Sequence, residues 1–360
     1  MNKNYYVAIM AGGIGSRFWP ESRARLPKQF LDILNTGQSL IQSTFHRFAA
    51  FIPVENIFVV TSAEYANLVE EHLPMLDPGN ILSEPSRKNT APCIAYMAFK
   101  LALRNPDASF IVAPADHLIL DPDGFQAVTL KGLDFVQNHS CLLTLGIQPT
   151  YPNTGYGYIQ YNHDEVAEGI YKVKTFTEKP TLELAKTFLA SEDFLWNAGI
   201  FIWKVKDILH AFEKHMTEMY ELFSAEQQKF DTIEEQAALD SIYPQCSSTS
   251  IDYGIMEKAD NVKIIPASFG WSDLGTWNAA YENMEKDYLG NAVKGNNVII
   301  IDATRNMVHA PHHKLLLLQG LDDFVVVDTF DALMICKKEK EQEIKDYMAE
   351  IKRNKGDKFL

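Results

Sequence analysis

Four short apolar runs, Tyr6 to Met10, Ile57 to Thr61, Phe110 to Ala113 and Leu142 to Ile147, alternate with longer stretches whose apolar residues recur at helical spacing. Runs of that length suit strands buried on both faces, and Ser39 to Phe51, Glu64 to Leu73 and Ala91 to Leu103 read as the helices between them. Alternating strands and helices predict an α/β fold, with a Rossmann-like, mainly parallel sheet and helices on both faces. In such folds ligands bind beyond the carboxyl ends of the strands. Gly12 to Arg17 follows one such end and Pro114 to His117 another, so two distant segments point at one cleft.

The segment MAGGIGSRFWPESRARLPKQF, Met10 to Phe30, joins glycines to a row of cations. Backbone at Gly12, Gly13 and Gly15 can approach a ligand closely, since no Cβ intervenes. Successive N–H groups in such a loop form a nest for anionic oxygens, and Arg17, Arg23, Arg25 and Lys28 bring charge. The two familiar phosphate loops do not fit. A P-loop needs Gly-Lys-Ser/Thr where Arg17 or Phe18 stands, and a dinucleotide fingerprint needs glycine at Phe18. An ordinary strand-to-helix turn would explain three glycines alone; Arg17 and the Pro27-Lys28 pair shift the balance toward phosphate.

A chain of 360 residues with 46% hydrophobic composition can bury one large core, or one large and one small. No apolar stretch nears the roughly 20 residues that span a bilayer, and a cytoplasmic location is expected. The 4 cysteines lack CxxC spacing and read as reduced thiols. A formal net charge of −14 opposes binding to nucleic acid or an anionic membrane, yet salt screens that field over roughly 8–10 Å, so a local cationic pocket can still hold a small anion.

Residues 1–289 read as one catalytic domain and 290–360 as a small β domain, with a β-helix as one form it could take, ending in a helix. Short β-type runs after Leu289 are broken by Gly, Asn, Asp and Pro, too irregularly to claim a period. Ile344, Tyr347, Met348 and Ile351 mark one face of the terminal helix, and Val205 to Phe223 predicts a single amphipathic helix. The apolar β tail and terminal helix are the expected surface for a homodimer contact.

Asp116 stands at a strand end beside His117, and Asp273 lies in FGWSDLGTW. Two aspartates on shaped loops suit Mg²⁺, which keeps waters and substrate phosphates, although a loop Asp more commonly caps a helix. Glu178, Lys179 and Pro180 close the alternating YKVKTFTEKP; a carboxylate there can accept sugar hydroxyls while the ammonium meets phosphate, or the pair can simply be solvated. TGYGYI and FLWNAGIF add Gly155 and Asn197. In SEPSRKNTAP, Glu84 precedes a helix start where Asn89 or Thr90 is the cap and free N–H groups can hold phosphate or ribose. His309, His312 and His313 read as a solvated turn, since HAPHH lacks an outlying partner at ligand spacing.

Taken together, AGGIGSRFWP with LPKQF, EPSRKNTAP, PADH, TGYGYI, EKP, WNAGIF and FGWSDLGTW resemble the sugar-phosphate nucleotidyltransferases, and among them the mannose-1-phosphate guanylyltransferases. The motifs run in the family's order from residue 10 to residue 277. Phe18 and Glu21 stand where the family more often has leucines, and Lys88 replaces a usual arginine. The resemblance implies GMP transfer from GTP to α-D-mannose 1-phosphate with release of pyrophosphate. It implies a catalytic set of Arg17, Lys28, Asp116 and Asp273, the two aspartates holding Mg²⁺. Ala11, Gly12, Gly13, Gly15, Ser16, Arg17, Lys28, Glu84, Asn89 and Thr90 would hold the nucleotide, Glu84 reading the N1–H and N2–H₂ edge of guanine. Lys179 would meet the sugar phosphate, and Gly155, Glu178 and Asn197 would orient mannose. Some relatives continue into an isomerase domain; with the sequence ending at Leu360, transferase activity without isomerase is expected. A thymidylyl- or uridylyltransferase on glucose 1-phosphate, and a silent nucleotide-sugar-binding regulatory subunit, are the rival readings.

Overall fold

A computed structural model describes all residues, Met1–Leu360, as two compact units. The first comprises Met1–Gly12, Phe45–Ala115 and Ile119–Trp271; the second comprises Gly13–Thr44, Asp116–Leu118 and Ser272–Leu360.

The first unit is built on a nine-stranded sheet. Its order is Ile81–Glu84, Ile57–Ser62, Tyr5–Met10, Ser109–Pro114, Phe194–Lys204, Leu142–Ile147, Val262–Ala267, Ile170–Glu178 and Gly157–Ala167. Strands 81–84, 57–62, 5–10 and 109–114 are mutually parallel, as are 142–147 and 262–267. Every residue of Ile57–Ser62 is buried, which is why an unbroken apolar run encodes it. Phe194–Lys204 runs antiparallel between Ser109–Pro114 and Leu142–Ile147, so the sheet is mixed. Its Phe201 and Trp203 stack with ring centroids 5.5 Å apart, and Trp203 meets Phe110 edge-on.

Helix Thr90–Arg104 is buried continuously from Ala91 to Leu101, as an apolar helix with no polar face must be. Its one buried cation, Lys100, is held by Glu235 at 2.6 Å and Asp231 at 2.8 Å. The single helix expected over Val205 to Phe223 is two, Val205–His215 and Thr217–Glu226. Met216 leaves helical geometry, and Thr217 turns its hydroxyl back onto the Glu213 carbonyl at 2.8 Å, a bond that bends helices. The break lets both halves pack on Thr90–Arg104, with Phe99 stacked on Phe223.

In the second unit, short strands Ala292–Lys294, Met307–His309 and Phe324–Asp328 stack in parallel, and Leu333–Lys337 closes the stack antiparallel. Val298–Ile301 pairs in parallel with Leu316–Gln319. Ala292 pairs with Met307, fifteen residues on, and Met307 with Val325, eighteen on. Coils of unequal length explain why no period is visible in the sequence. Buried asparagines stitch them: Asn306 donates to Asn291 Oδ1 at 3.0 Å and accepts from the Phe324 N–H at 2.8 Å. The interior joins Phe18, Trp19, Leu31 and Ile33 to Trp277, Met307, Val327 and Ile344. Thus the arginine-rich loop and the C-terminal coils share one core. Trp19 and Arg23 also donate to the Phe359 carbonyl at 2.7 and 2.8 Å, and Arg23 pairs with Asp331 at 2.8 Å.

His309 corrects the solvated-turn reading. It is buried in Met307–His309, with Nε2 3.4 Å from Glu21 and its ring edge-on to Trp277. Glu21 and Phe18 therefore have structural partners in this unit: Phe18 packs on Trp277 with centroids 4.8 Å apart.

Candidate active site

A cleft of about 260 Å³ in the second unit is lined by Gly15, Ser16, Arg17, Lys28, Asp116, His117, Asp273, Gly275 and Lys345. All four residues of the expected catalytic set line it. Gly15 adopts φ +70, and a Cβ there would stand 2.2 Å from Lys28 Cβ, so only glycine lets the lysine stem lie against the loop. Lys28 is buried; its ammonium donates to Asp116 Oδ2 at 2.9 Å and to the Asp273 carbonyl at 2.7 Å. One side chain thereby fixes both acidic loops. Burial works against the Asp116 charge, but the neighbouring Lys28 and His117 outweigh it and hold that carboxyl below its usual value. The Asp273 carboxylate folds over Gly275, accepting its N–H at 3.0 Å, where a Cβ would come within 2.7 Å. Arg17 buries its Nε without a hydrogen-bond partner. Two carboxylates with hard oxygens at one cleft fit a hydrated Mg²⁺. No group of three or more His, Cys, Asp or Glu side chains forms a complete protein cage.

The first unit gathers two further clusters of polar side chains. In one, strand pairing sets Glu178 opposite Gly157, and a Cβ on Gly157 would come within 2.3 Å of Glu178 Oε2 and 3.2 Å of Asn197 Cβ. The missing side chain is what lets those two groups lie side by side. Lys179 takes φ +48 at the end of its strand, and its N–H donates to the Tyr156 carbonyl at 3.1 Å. That turn breaks the in-out alternation of a strand, so the ammonium reaches the Glu178 carboxylate. Asn197 donates to Asp252 Oδ1 at 2.9 Å and accepts from the Gly199 N–H at 3.1 Å, so its amide is committed within the protein. Asp252 is the carboxylate it presents. Burial, then the nearby Glu178 charge, push the Asp252 carboxyl up to about 6. Gly155 is more remote: its N–H serves Asn153 Oδ1 at 2.7 Å.

The other cluster surrounds Glu84, at the end of Ile81–Glu84. Its Oε1 accepts the Tyr243 hydroxyl at 2.9 Å; Oε2 lies beside Gly12, 3.8 Å from where a Cβ would stand. Burial pushes this carboxyl up to about 7. Asn89, at φ +70, caps the following helix by accepting the Thr90 N–H at 2.9 Å, and Thr90 Oγ1 accepts the Ile251 N–H at 2.9 Å. Ala11 is buried beside Val60, to whose carbonyl it donates at 2.8 Å.

Asp252, Tyr243 and Lys345 were not foreseen. Asp252 sits in a π-helical turn, Asp252–Met256, which no apolar spacing marks. Lys345 is one of many charged residues on an amphipathic helix.

A nucleotidyl transferase family model matches residues 6–289, and the chain belongs to that family. A MannoseP isomerase/GMP-like beta-helix domain matches residues 296–351. The alginate biosynthesis protein AlgA of Pseudomonas syringae is 37% identical over 351 residues, covering 95% of this chain and 71% of that one. Mannose-1-phosphate guanylyltransferase 2 of Escherichia coli O157:H7 is 32% identical over 371 residues, covering 98% and 75%. Among solved structures, one named mannose-1-phosphate geranyltransferase, from Thermus thermophilus, superposes with a TM-score of 0.86 at 27% identity, covering 97% of this chain and 99% of that one. No helix is long and apolar enough to cross a membrane.

Proposed function

We propose that this enzyme transfers GMP from GTP to α-D-mannose 1-phosphate, giving GDP-mannose and pyrophosphate. The convergence of Arg17, Lys28, Asp116 and Asp273 on one cleft carries the reading, and the similarity to a guanylyltransferase supports the choice of substrates. The chemistry needs no protein nucleophile. A sugar phosphate has its second pKa near 6 and is largely dianionic at pH 7, so its oxygen attacks the α-phosphorus directly. A new P–O bond forms as the bond to the β-phosphate bridging oxygen breaks, and the electron pair leaves with pyrophosphate. The protein's task is to hold attacker and leaving group in line and to absorb charge.

Arg17 and Lys28 meet the triphosphate, with the N–H groups of Gly13, Gly15 and Ser16. Asp116 and Asp273 hold Mg²⁺, which would neutralise triphosphate charge. Lys179 meets the sugar phosphate. Glu178 and Asp252 accept mannose hydroxyls, Asn197 orients Asp252, and Gly155 shapes the adjoining turn. Glu84, in its ionised form, accepts from guanine N1–H and N2–H₂, with backbone at Ala11 and Gly12 beside it and Asn89 and Thr90 at the neighbouring helix start. GTP and the sugar phosphate place the work in the cytoplasm. The exposed aliphatic strand face bearing Ile299, Ile301 and Leu317 is the proposed homodimer surface, checked by sedimentation of wild type against Leu317→Lys.

Pyrophosphate release, measured for GTP, ATP, UTP and dTTP against mannose 1-phosphate and glucose 1-phosphate, is the decisive test. Preference for GTP with mannose 1-phosphate is expected. Preference for UTP or dTTP with glucose 1-phosphate, or no turnover of any pair, would overturn the proposal.

A further inference from the structure

We infer that Lys345, in the first turn of helix Ile344–Lys355, supplies a further cation to the phosphate cleft and holds the part of the nucleotide that departs as pyrophosphate. The inference rests on the cleft being the triphosphate site. Lys345 lines the same cleft as Arg17, Lys28, Asp116 and Asp273 although it lies seventy-two residues beyond Asp273 in the chain. Its position is fixed by its neighbour: Ile344 is fully buried in the core that contains Phe18 and Trp277, which pins the start of this helix against the Ser16–Phe18 turn.

The charge pattern gives Lys345 its role. Lys28 is already committed to Asp116 and to the Asp273 carbonyl. Arg17 and Lys28 together only balance Asp116 and Asp273, so the cleft without Lys345 has no excess positive charge from its Arg, Lys and Asp side chains. Lys345 makes the side-chain charge of the cleft net positive before any metal binds. Its ammonium is not taken up by a carboxylate: Lys338, Lys340 and Lys352 pair with Asp323, Glu343 and Asp357 at 2.8, 2.6 and 2.9 Å, whereas Lys345 makes no ion pair within 4.0 Å. A departing pyrophosphate gains charge as the bond to the α-phosphorus breaks. An ammonium free of carboxylates is suited to meet that charge. The C-terminal coils and helix would thereby take part in catalysis as well as in packing.

The test uses the full-length enzyme in both directions, with Lys345→Ala, Lys345→Arg and, as a control on the same helix, Lys352→Ala. For Lys345→Ala we expect the KM for pyrophosphate to rise, and kcat/KM for GTP to fall, by about tenfold or more, with the KM for mannose 1-phosphate within about twofold of wild type. Lys345 is exposed, so thermal stability should not change, and Lys345→Arg should recover most of the loss. Pyrophosphate and GTP parameters within about twofold of wild type in Lys345→Ala, or an equal loss in Lys352→Ala, would overturn the inference. If wild type turns over no GTP with mannose 1-phosphate, the functional proposal fails by itself. Calorimetric binding of inorganic pyrophosphate with Mg²⁺ then decides on Lys345, an unchanged Kd in Lys345→Ala counting against it.

Discussion

Asp116 and Asp252 are aspartates in two different environments, and their carboxyls are pushed in opposite directions. Lys28 and His117 stand beside Asp116 and lower it; burial and the Glu178 carboxylate raise Asp252 to about 6. The cleft of Arg17 and Lys28 interleaves opposite charges, so Asp116 stays ionised and ready for a cation. Beside Gly157, burial and the Glu178 carboxylate act on Asp252, so Asp252 loses its charge readily as pH falls. A triphosphate with its metal needs the first environment; hydroxyl groups, which a carboxylate orients by accepting their protons, are served by the second.

Breaking the cleft should have the largest effect. Lys28→Ala and Asp273→Asn should each lower kcat/KM by about 10³-fold, since both remove charge from a site that works electrostatically. Rates within a few-fold of wild type in either variant would end the comparison. Asp116 gives this cleft a pH signature as well. Its depressed native value means its stabilisation is present above the ordinary aspartate range and is lost as pH falls through the native value.

The side of the comparison held by Asp252 is sharpened by Asp252→Asn, which should raise the KM for mannose 1-phosphate by about 10- to 100-fold, the loss of a charged hydrogen bond. The substrate's own second pKa lies near 6, so the informative quantity is the difference between wild type and variant. Between pH 7 and pH 5 the wild-type KM should climb more steeply, because Asp252 takes up a proton in that window and Asn cannot. Parallel profiles would show that Asp252 does not contact the sugar.

Glu84 extends the comparison to a third environment, buried with one hydroxyl partner. Glu84→Gln should reduce discrimination of GTP over ATP by about tenfold or more, read as a ratio of kcat/KM values. It should also alter stability. A native value of about 7 against 4.5 means the folded protein binds the extra proton between those values, so wild-type stability falls as pH rises from 4.5 to 7. Glutamine removes that penalty, roughly 2–4 kcal/mol above pH 7, so the variant's melting temperature should exceed wild type at pH 8 more than at pH 5.

The smallest effect is expected at Glu21, which is lowered because His309 and nearby cations outweigh its burial. Glu21→Gln should cost about 1 kcal/mol at pH 7, with the difference shrinking as pH falls below 4.5, measured by denaturant unfolding. Activity should be retained.

Local pattern made the parallel strands and most helices legible. Buried strands declare themselves as unbroken apolar runs, and the observed Tyr5–Met10, Ile57–Ser62, Ser109–Pro114 and Leu142–Ile147 nearly coincide with those runs. Arg17, Lys28, Asp116 and Asp273 were legible because glycine turns and strand ends mark loops that carry function. The antiparallel insertion of Phe194–Lys204 was not, since pairing direction is not written in a single strand. The kink at Met216 was hidden as well, because both helices share one apolar face.

By itself the sequence determined which segments are buried strands, which loops carry charge, and which family the motifs resemble. These are properties of neighbouring residues, and they survive in a linear reading. Tertiary structure decided what depends on distance: that Lys28 grips two loops, that Asn197 is spent on Asp252, that His309 is buried, and that a C-terminal lysine lines the cleft of Arg17 and Lys28. Burial and the charges of residues far away in the chain set those outcomes, and neither has a signature along the sequence.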